Sequence, residues 1–87
     1  MEKISVGDIV LSKAGRDAGR YFLVVDVIDQ YAYITDGKIR KVVKPKKKNL
    51  KHLKTVETAK DISLAEKIKR GEPTSDERVK KAIRTKI

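Results

Sequence analysis

The chain has 87 residues, no cysteine and one histidine, and its formal net charge is +10. A chain this short forms one small domain with a modest core, so we do not expect a large internal catalytic cavity. The absence of cysteine excludes disulfides and thiolate chemistry, and a single histidine suits a transition metal poorly, so no cofactor is expected. No run reaches the roughly 20 apolar residues of a membrane span. We expect a soluble, cytoplasmic protein that is a monomer when free.

The positive charge is concentrated in one part of the chain. Residues 1–37 carry four basic and six acidic groups, and residues 55–87 carry nine basic and six acidic groups. Residues 38–54, here called the basic segment, carry nine basic groups and no acidic one. Because solvated surfaces normally mix both signs, this segment favours a polyanionic partner, nucleic acid first. A solubilising face or an import-type tract is the alternative, and an anionic membrane is disfavoured because no amphipathic helix with aromatic anchors accompanies the lysines.

In chain order, the first predicted elements are two β-strands. The apolar, β-branched runs Asp8 to Ser12 and Tyr21 to Ile28 are typical of neighbouring strands. The second run is apolar on both faces, which indicates a central strand covered on two sides. We therefore expect Tyr21 and Phe22 to lie in the core.

The loop between these strands, residues 13–20, is here called the GR loop. Gly15 and Gly19 would let backbone N–H groups approach phosphates, while Arg16 and Arg20 would add bidentate contacts. The structural alternative is that both glycines only supply the positive φ of a turn or bulge. The two interpretations are compatible, and Asp17 is expected to orient one of the two arginines.

Three more short strands follow. The Asp36-Gly37 pair is a two-residue hairpin signal, and Pro45 marks a bend or an edge. Five short strands joined by tight turns predict a mainly β fold, a small curled barrel that closes its own edges. The three strands are predicted at Tyr31 to Thr35, Lys38 to Val43, and Lys48 to His52 or Leu53.

The second half of the chain predicts one or two short helices. Ser63 and Glu66 form a capping-box pattern, and Gly71 is a natural stop. Thr74 and Glu77 mark a second start. Helices this short are marginal alone, so they dock on the barrel, dock on a partner, or fray. We divide the chain into a barrel, residues 1–55, and a helical extension, residues 56–87. The apolar stripe of the second helix consists of Val79, Ala82 and Ile83.

The first 55 residues resemble a known family. Gly7 to Val10, Ala14 to Gly19 and Leu23 to Ile28 are similar to a KOW motif. With Tyr33 to Gly37 and the closing Asn49 to Leu53, the similarity narrows to large-subunit ribosomal proteins of the "L-fourteen-e" type, found in archaea and eukaryotes. The resemblance implies an SH3-like barrel of the KOW type that binds RNA, usually ribosomal RNA. It does not reach residues 55–87.

These observations favour a non-enzymatic protein that binds structured RNA through its backbone. No nucleophile–base pair and no paired carboxylates at acid–base spacing occur, so the sequence predicts no catalytic site and no metal site. Tyr31 and Tyr33 share one strand face and could stack on bases, although packing against the barrel edge or the helices is the favoured interpretation. The expected RNA contacts are Lys13, Gly15, Arg16, Gly19, Arg20, Lys38, Arg40, Lys41, Lys44, Lys46, Lys47, Lys48, Lys51, His52 and Lys54.

The alternative is a protein-interaction adaptor that docks a partner through the barrel or the helices. A polyproline groove needs an aromatic lining, and the chain has only one Phe and three Tyr. The stripe on the second predicted helix keeps a helix-docking version of this hypothesis open. Salt dependence separates the two functions, because electrostatic RNA binding weakens steeply with salt and a hydrophobic contact does not.

Overall fold

The computed structural model describes residues 3–87, apart from the side chains of residues 57 and 58. Five strands are followed by two helices, and the strands form one antiparallel sheet in the order β4-β3-β2-β1-β5. The sheet curls into a half-barrel of the SH3-like type, which confirms the predicted fold class. The elements are β1 (Asp8–Ser12), β2 (Tyr21–Ile28), β3 (Tyr31–Thr35), β4 (Lys46–Asn49), β5 (Leu53–Lys60), α1 (Ile62–Lys69) and α2 (Asp76–Lys86).

Strand β2 is the centre of the sheet and is buried on both faces, as its apolar pattern predicted. Phe22 and Val24 point into the barrel core, and Leu23 and Val25 point into the helix-side core. All four are 3% exposed or less. Tyr21, in contrast, is 37% exposed, so its predicted place in the core is wrong. Tyr21 is the first residue of β2, and at this end of the strand neighbouring residues cover the sheet incompletely.

The two cores differ in what covers the sheet. The barrel core lies inside the curl, and its buried members are Ile4, Val10, Phe22, Val24, Ala32, Ile34 and Leu53. The helix-side core lies between the sheet and the two helices, and its buried members are Ile9, Leu23, Val25, Ala59, Leu64, Ala65, Val79, Ala82 and Ile83.

The helices therefore dock on the barrel, one of the three outcomes that the sequence left open. The α2 stripe is buried against the chain's own sheet, with Val79 fully covered. It is thus not available to a partner in this fold. Gly71 follows α1 at φ +79°, the left-handed conformation that a glycine stop supplies.

The two helix starts differ slightly from the predicted ones. Helix α1 begins at Ile62 because the Asp61 carboxylate, not Ser63, accepts the Leu64 N–H at 3.2 Å. Helix α2 is capped by Ser75, one residue after Thr74, and the Ser75 hydroxyl accepts the Arg78 N–H at 3.2 Å. Aspartate and serine are both strong N-cap residues, so neighbouring candidates compete closely.

The predicted strand Lys38 to Val43 is wrong, because these residues form a loop. The Asp36 carboxylate accepts the N–H groups of Lys38 and Arg40, at 2.9 and 2.8 Å. The Thr35 hydroxyl and the N–H groups of residues 36 and 37 all donate to the Arg40 carbonyl. These bonds close a wider loop than a two-residue hairpin and use backbone groups that a strand ladder would need.

The last two strands replace the single short one that the sequence predicted. Strand β4 follows Pro45 directly and forms the edge beside β3, as expected for a proline-marked edge. A 3-10 turn, Leu50–His52, then leads into β5, which pairs with β1. Strand β5 runs to Lys60 and so continues past residue 55, where the sequence analysis divided the chain.

Helix docking makes a prediction for stability. Val79→Ala should lower the free energy of unfolding by about 2 kcal/mol, because it removes two buried methyl groups and leaves a cavity. Val43→Ala is the matched control, since Val43 is 91% exposed. Chemical denaturation measures both variants. Equal stabilities would contradict the docking of α2.

Candidate nucleic-acid interface

The GR loop is a short, hydrogen-bonded turn between β1 and β2. Residues Gly15–Asp17 form a single 3-10 turn. The loop is closed at its base by two backbone bonds of 2.9 Å, from the Ser12 N–H to the Arg20 carbonyl and from the Gly19 N–H to the Ser12 carbonyl. The loop is therefore fixed at its base, while its arginines stay exposed.

Both loop glycines adopt the left-handed conformation that the structural interpretation predicted. Gly15 has φ +77° and Gly19 has φ +85°. A Cβ at Gly15 would lie 3.1 Å from the Lys48 Nζ, whereas a Cβ at Gly19 would meet no atom within 4 Å. The space beside Gly19 is therefore open, although its N–H already donates to the Ser12 carbonyl.

Three contacts join the GR loop to the basic segment. The Lys48 ammonium donates to the Ala14 carbonyl at 2.8 Å. The Lys13 N–H donates to the His52 carbonyl at 2.8 Å. Asp17 pairs with Arg40 at the other side of the loop. Two regions separated by 17 residues of the chain therefore form one continuous surface, which we call the cationic surface (residues 13–20 and 38–54).

The partner of Asp17 is Arg40, not Arg16 or Arg20 as the sequence predicted. The Arg40 Nη2 lies 3.1 Å from Oδ2 and 3.2 Å from Oδ1 of Asp17. The Asp17 side chain is 2% exposed and the Arg40 side chain 27%. Because the Asp17 carboxylate is buried, only a cation whose side chain reaches into the protein can pair with it, and Arg40 does so. Spacing along the chain gives no sign of this partner, because the two residues are 23 positions apart.

The predicted contact residues fall into two groups. In the first group, Arg40 and Lys48 donate hydrogen bonds to other groups of the protein, and Lys46 and His52 are half-buried. Lys47 lies over the Tyr31 ring, with its Nζ 4.3 Å from the ring centroid. The second group is exposed. Besides Gly15 and Gly19 it comprises cations that pair with no described carboxylate, namely Lys13, Arg16, Arg20, Lys38, Lys41, Lys44, Lys47, Lys51 and Lys54.

Five acidic groups pair with cations outside this surface. Lys60 lies 3.3 Å from Asp8, and Lys69 lies 3.2 Å from Asp26. Three further pairs connect residues of the helical region, namely Arg70–Glu72, Arg78–Asp61 and Lys80–Glu77. Within the described chain, Arg40 is the one cation of the basic segment with an acidic partner. The segment therefore keeps nearly all of its positive charge unneutralised.

The loop at residues 36–45 is held in place by the helical extension. The Val42 N–H donates to the Asp76 carboxylate at 2.8 Å. A Cβ on Gly37 would collide with the backbone of Asp76, so loop and helix start are in close contact. A basic cleft of about 480 Å³ lies beside this loop, and it is lined by Ile39, Arg40, Lys41, Lys44, Pro45, Lys46 and Lys47.

The tyrosines of β3 do not form a free stacking pair. Tyr33 is half-buried against the helix-side core, as the favoured interpretation expected. Tyr31 is half-buried beneath the Lys47 ammonium, which gains a cation–π contact there. The surface therefore offers charge rather than a row of aromatic rings.

Sequence reasoning missed two cations that the fold brings to the edge of this surface. Lys80 and Arg84 of α2 line a cleft together with Arg20 and Lys38. Their one sequence signal is the spacing of four residues on the flank of the α2 stripe, which places them on the same side of a helix.

Taken together, the curled half-barrel, its docked helices and a surface of one sign define a small basic SH3-like barrel protein. No protein-family model matches the sequence. Over residues 3–87, neither helix has the length and apolar character needed to cross a membrane.

Known proteins with similar sequences identify the family. The chain is 44% identical to large ribosomal subunit protein eL14 of Desulfurococcus amylolyticus over 84 residues, which are 95% of this chain and 79% of the relative. It is 39% identical to eL14 of Staphylothermus marinus and 36% identical to eL14 of Hyperthermus butylicus, each over 84 residues and 95% of this chain. These matches cover 79% and 78% of the two relatives. The chain belongs to the eL14 family of large-subunit ribosomal proteins. The resemblance stated for the first 55 residues is thus confirmed, and it extends into the helical region.

The Asp17–Arg40 pair makes a second prediction. Asp17→Asn should lower the free energy of unfolding by about 1–2 kcal/mol, because it replaces a charge-assisted contact with a neutral one beside a half-buried guanidinium. Asp29→Asn is the control: it removes the same charge at an exposed turn residue with φ +55°, which asparagine tolerates. Denaturant-induced unfolding measures the stability of both variants. If the D17N and D29N curves coincide, the Asp17–Arg40 pair does not contribute to stability.

Proposed function

We propose that this protein is a non-catalytic component of the large ribosomal subunit that binds structured ribosomal RNA through the cationic surface. One observation carries the proposal: of the nine cations in the basic segment, Arg40 alone has an acidic partner among the described residues. Unpaired cations held on ordered backbone attract phosphates and release counterions when they bind them. Known proteins that are similar to this chain are named as large-subunit ribosomal proteins, which supports this choice of RNA. A ribosomal role also places the protein in the cytoplasm.

The two parts of the surface have different tasks in this proposal. The lysines of the basic segment act as point charges, so they supply affinity without reading bases. Arg16 and Arg20 lie on a loop with a fixed base, and their planar guanidinium groups bind phosphate with defined geometry. Arg40 and Lys48 hold the loop against the basic segment and so act as positioning residues.

The adaptor function has less support. Its helix-docking version needs the α2 stripe, which is buried against the sheet. Its polyproline version needs aromatic side chains in a groove, and Tyr33 packs into the helix-side core. A protein partner elsewhere on the helices stays a prediction.

The basic segment is tested by removing two of its exposed lysines. Lys41→Gln with Lys44→Gln should weaken binding to structured fragments of large-subunit ribosomal RNA by about tenfold and lower the slope of log K against log salt by about 1–2. Fluorescence anisotropy at several salt concentrations measures both quantities.

The matched control removes two lysines from α1. Lys67→Gln with Lys69→Gln changes the net charge equally, but both lysines belong to α1 and not to the basic segment, and Lys69 is paired with Asp26. Its affinity should stay within about twofold of the wild type. If both double variants lose the same affinity, net charge alone governs binding and the proposed surface is wrong.

The GR loop is tested by charge reversal. Arg16→Glu with Arg20→Glu should weaken RNA binding by more than tenfold, because two phosphate contacts become repulsions. Circular dichroism and the melting temperature should match the wild type, since both side chains are exposed. Unchanged affinity in this folded variant would remove the loop from the interface.

A further inference from the structure

A second cleft opens where the end of the GR loop meets helix α2. Its volume is about 520 Å³. Three separate parts of the chain meet there: the start of β2, the loop after β3 and the outer flank of α2. Its lining residues are Arg20, Tyr21, Asp36, Lys38, Lys80, Ile83, Arg84 and Ile87.

The lining of this cleft is strongly cationic. Arg20 and Lys38 come from the barrel, and Lys80 and Arg84 come from α2. The acidic lining residue, Asp36, already accepts the backbone N–H groups of Lys38 and Arg40 through its Oδ1. Lys80 lies 3.1 Å from Glu77, but an exposed pair of this kind is weak. The cleft therefore combines four cations with one carboxylate that is committed to the backbone.

The cleft lining also includes three side chains with apolar surface. Tyr21 is 37% exposed and Ile87 is 55% exposed, and Ile83 lies beside them at the margin of the helix-side core. Tyr21 sits on a rigid position, because it pairs with Leu11 in the central sheet. Apolar and cationic side chains in one cleft match a nucleotide, whose base or sugar contacts apolar atoms while its phosphates face positive charge.

Docking of the extension fixes the position of the α2 cations. The buried stripe sets the rotation of the helix, so Lys80 and Arg84, one turn apart, face the barrel loops. The Asp76 bond to the Val42 N–H fixes the start of the same helix against the loop after β3. The cationic lining of the cleft is thus built on two parts of the chain that pack together, α2 and the loop after β3.

We propose that this cleft is a second RNA-contact site, in which α2 supplies two phosphate-binding side chains and Tyr21 supplies a face for a nucleotide. This inference rests on the proposed function, because in it one RNA contacts both the cationic surface and the cleft. Arg20 belongs to both the GR loop and the cleft, so the RNA backbone continues from one to the other. The helical extension, in addition to covering the sheet, enlarges the RNA-binding surface.

The test compares two double variants of the full-length chain. Lys80→Gln with Arg84→Gln removes the cleft cations, and Arg78→Gln with Lys81→Gln removes one arginine and one lysine from the other side of the same helix. Binding to structured fragments of large-subunit ribosomal RNA should weaken by about tenfold in the first variant, with a salt slope lower by about 1–2. The second variant should bind within about twofold of the wild type. Thermal melts establish that both are folded.

A second measurement needs no substitution. Photocrosslinking of the wild-type chain to RNA that carries 4-thiouridine should give a crosslinked peptide containing Tyr21. Wild-type affinity in the folded K80Q/R84Q variant, equal losses in both double variants, or a crosslink map without Tyr21 would each overturn the cleft assignment. If the R16E/R20E variant still loses affinity in that case, the proposed function holds and only the cleft assignment fails. No binding by the wild-type chain would overturn the proposed function itself.

Discussion

The two-sided burial of β2 is the constraint on which the rest of this molecule depends. Its alternate side chains are apolar on both faces, so the sheet exposes a second hydrophobic face once it has curled around the barrel core. A barrel of some fifty residues cannot leave that face in water. The helices cover it, and their short length explains why they need the sheet in return. The residues that the sheet and the helices do not bury against each other form the surface of the protein.

The distribution of acidic groups then determines where positive charge survives. Several aspartates accept backbone N–H groups, as at residues 8, 26, 36, 61 and 76, and three of these also pair with single cations, namely Asp8, Asp26 and Asp61. These contacts fix loops and helix ends and leave the basic segment almost untouched. A segment of seventeen residues whose charges all have one sign can thus keep an ordered conformation, because the carboxylates of the chain bind backbone groups rather than neutralise its lysines.

Local patterns predicted what depends on nearest neighbours, and the rest needed contacts between distant residues. The first three strands were predicted with their observed bounds because alternation and tight turns determine them. The strand predicted after Gly37 failed because side-chain bonds from Thr35 and Asp36 captured the backbone first. The cationic loop and segment were visible in the composition. Their junction was not, since Arg40 reaches Asp17 across 23 positions, and neither was the approach of α2 to Lys38.

The junction between loop and segment also explains how a surface of like charges is kept ordered. Like charges along the basic segment oppose a compact arrangement, and surrounding salt reduces this opposition only in part. Arg40 and Lys48 work against it by placing positive groups on an internal carboxylate and a carbonyl, where each forms a hydrogen bond. The remaining cations are then held apart on ordered backbone. A polyanion that binds them meets side chains already in position, so less conformational entropy is lost on binding than a disordered lysine tail would lose.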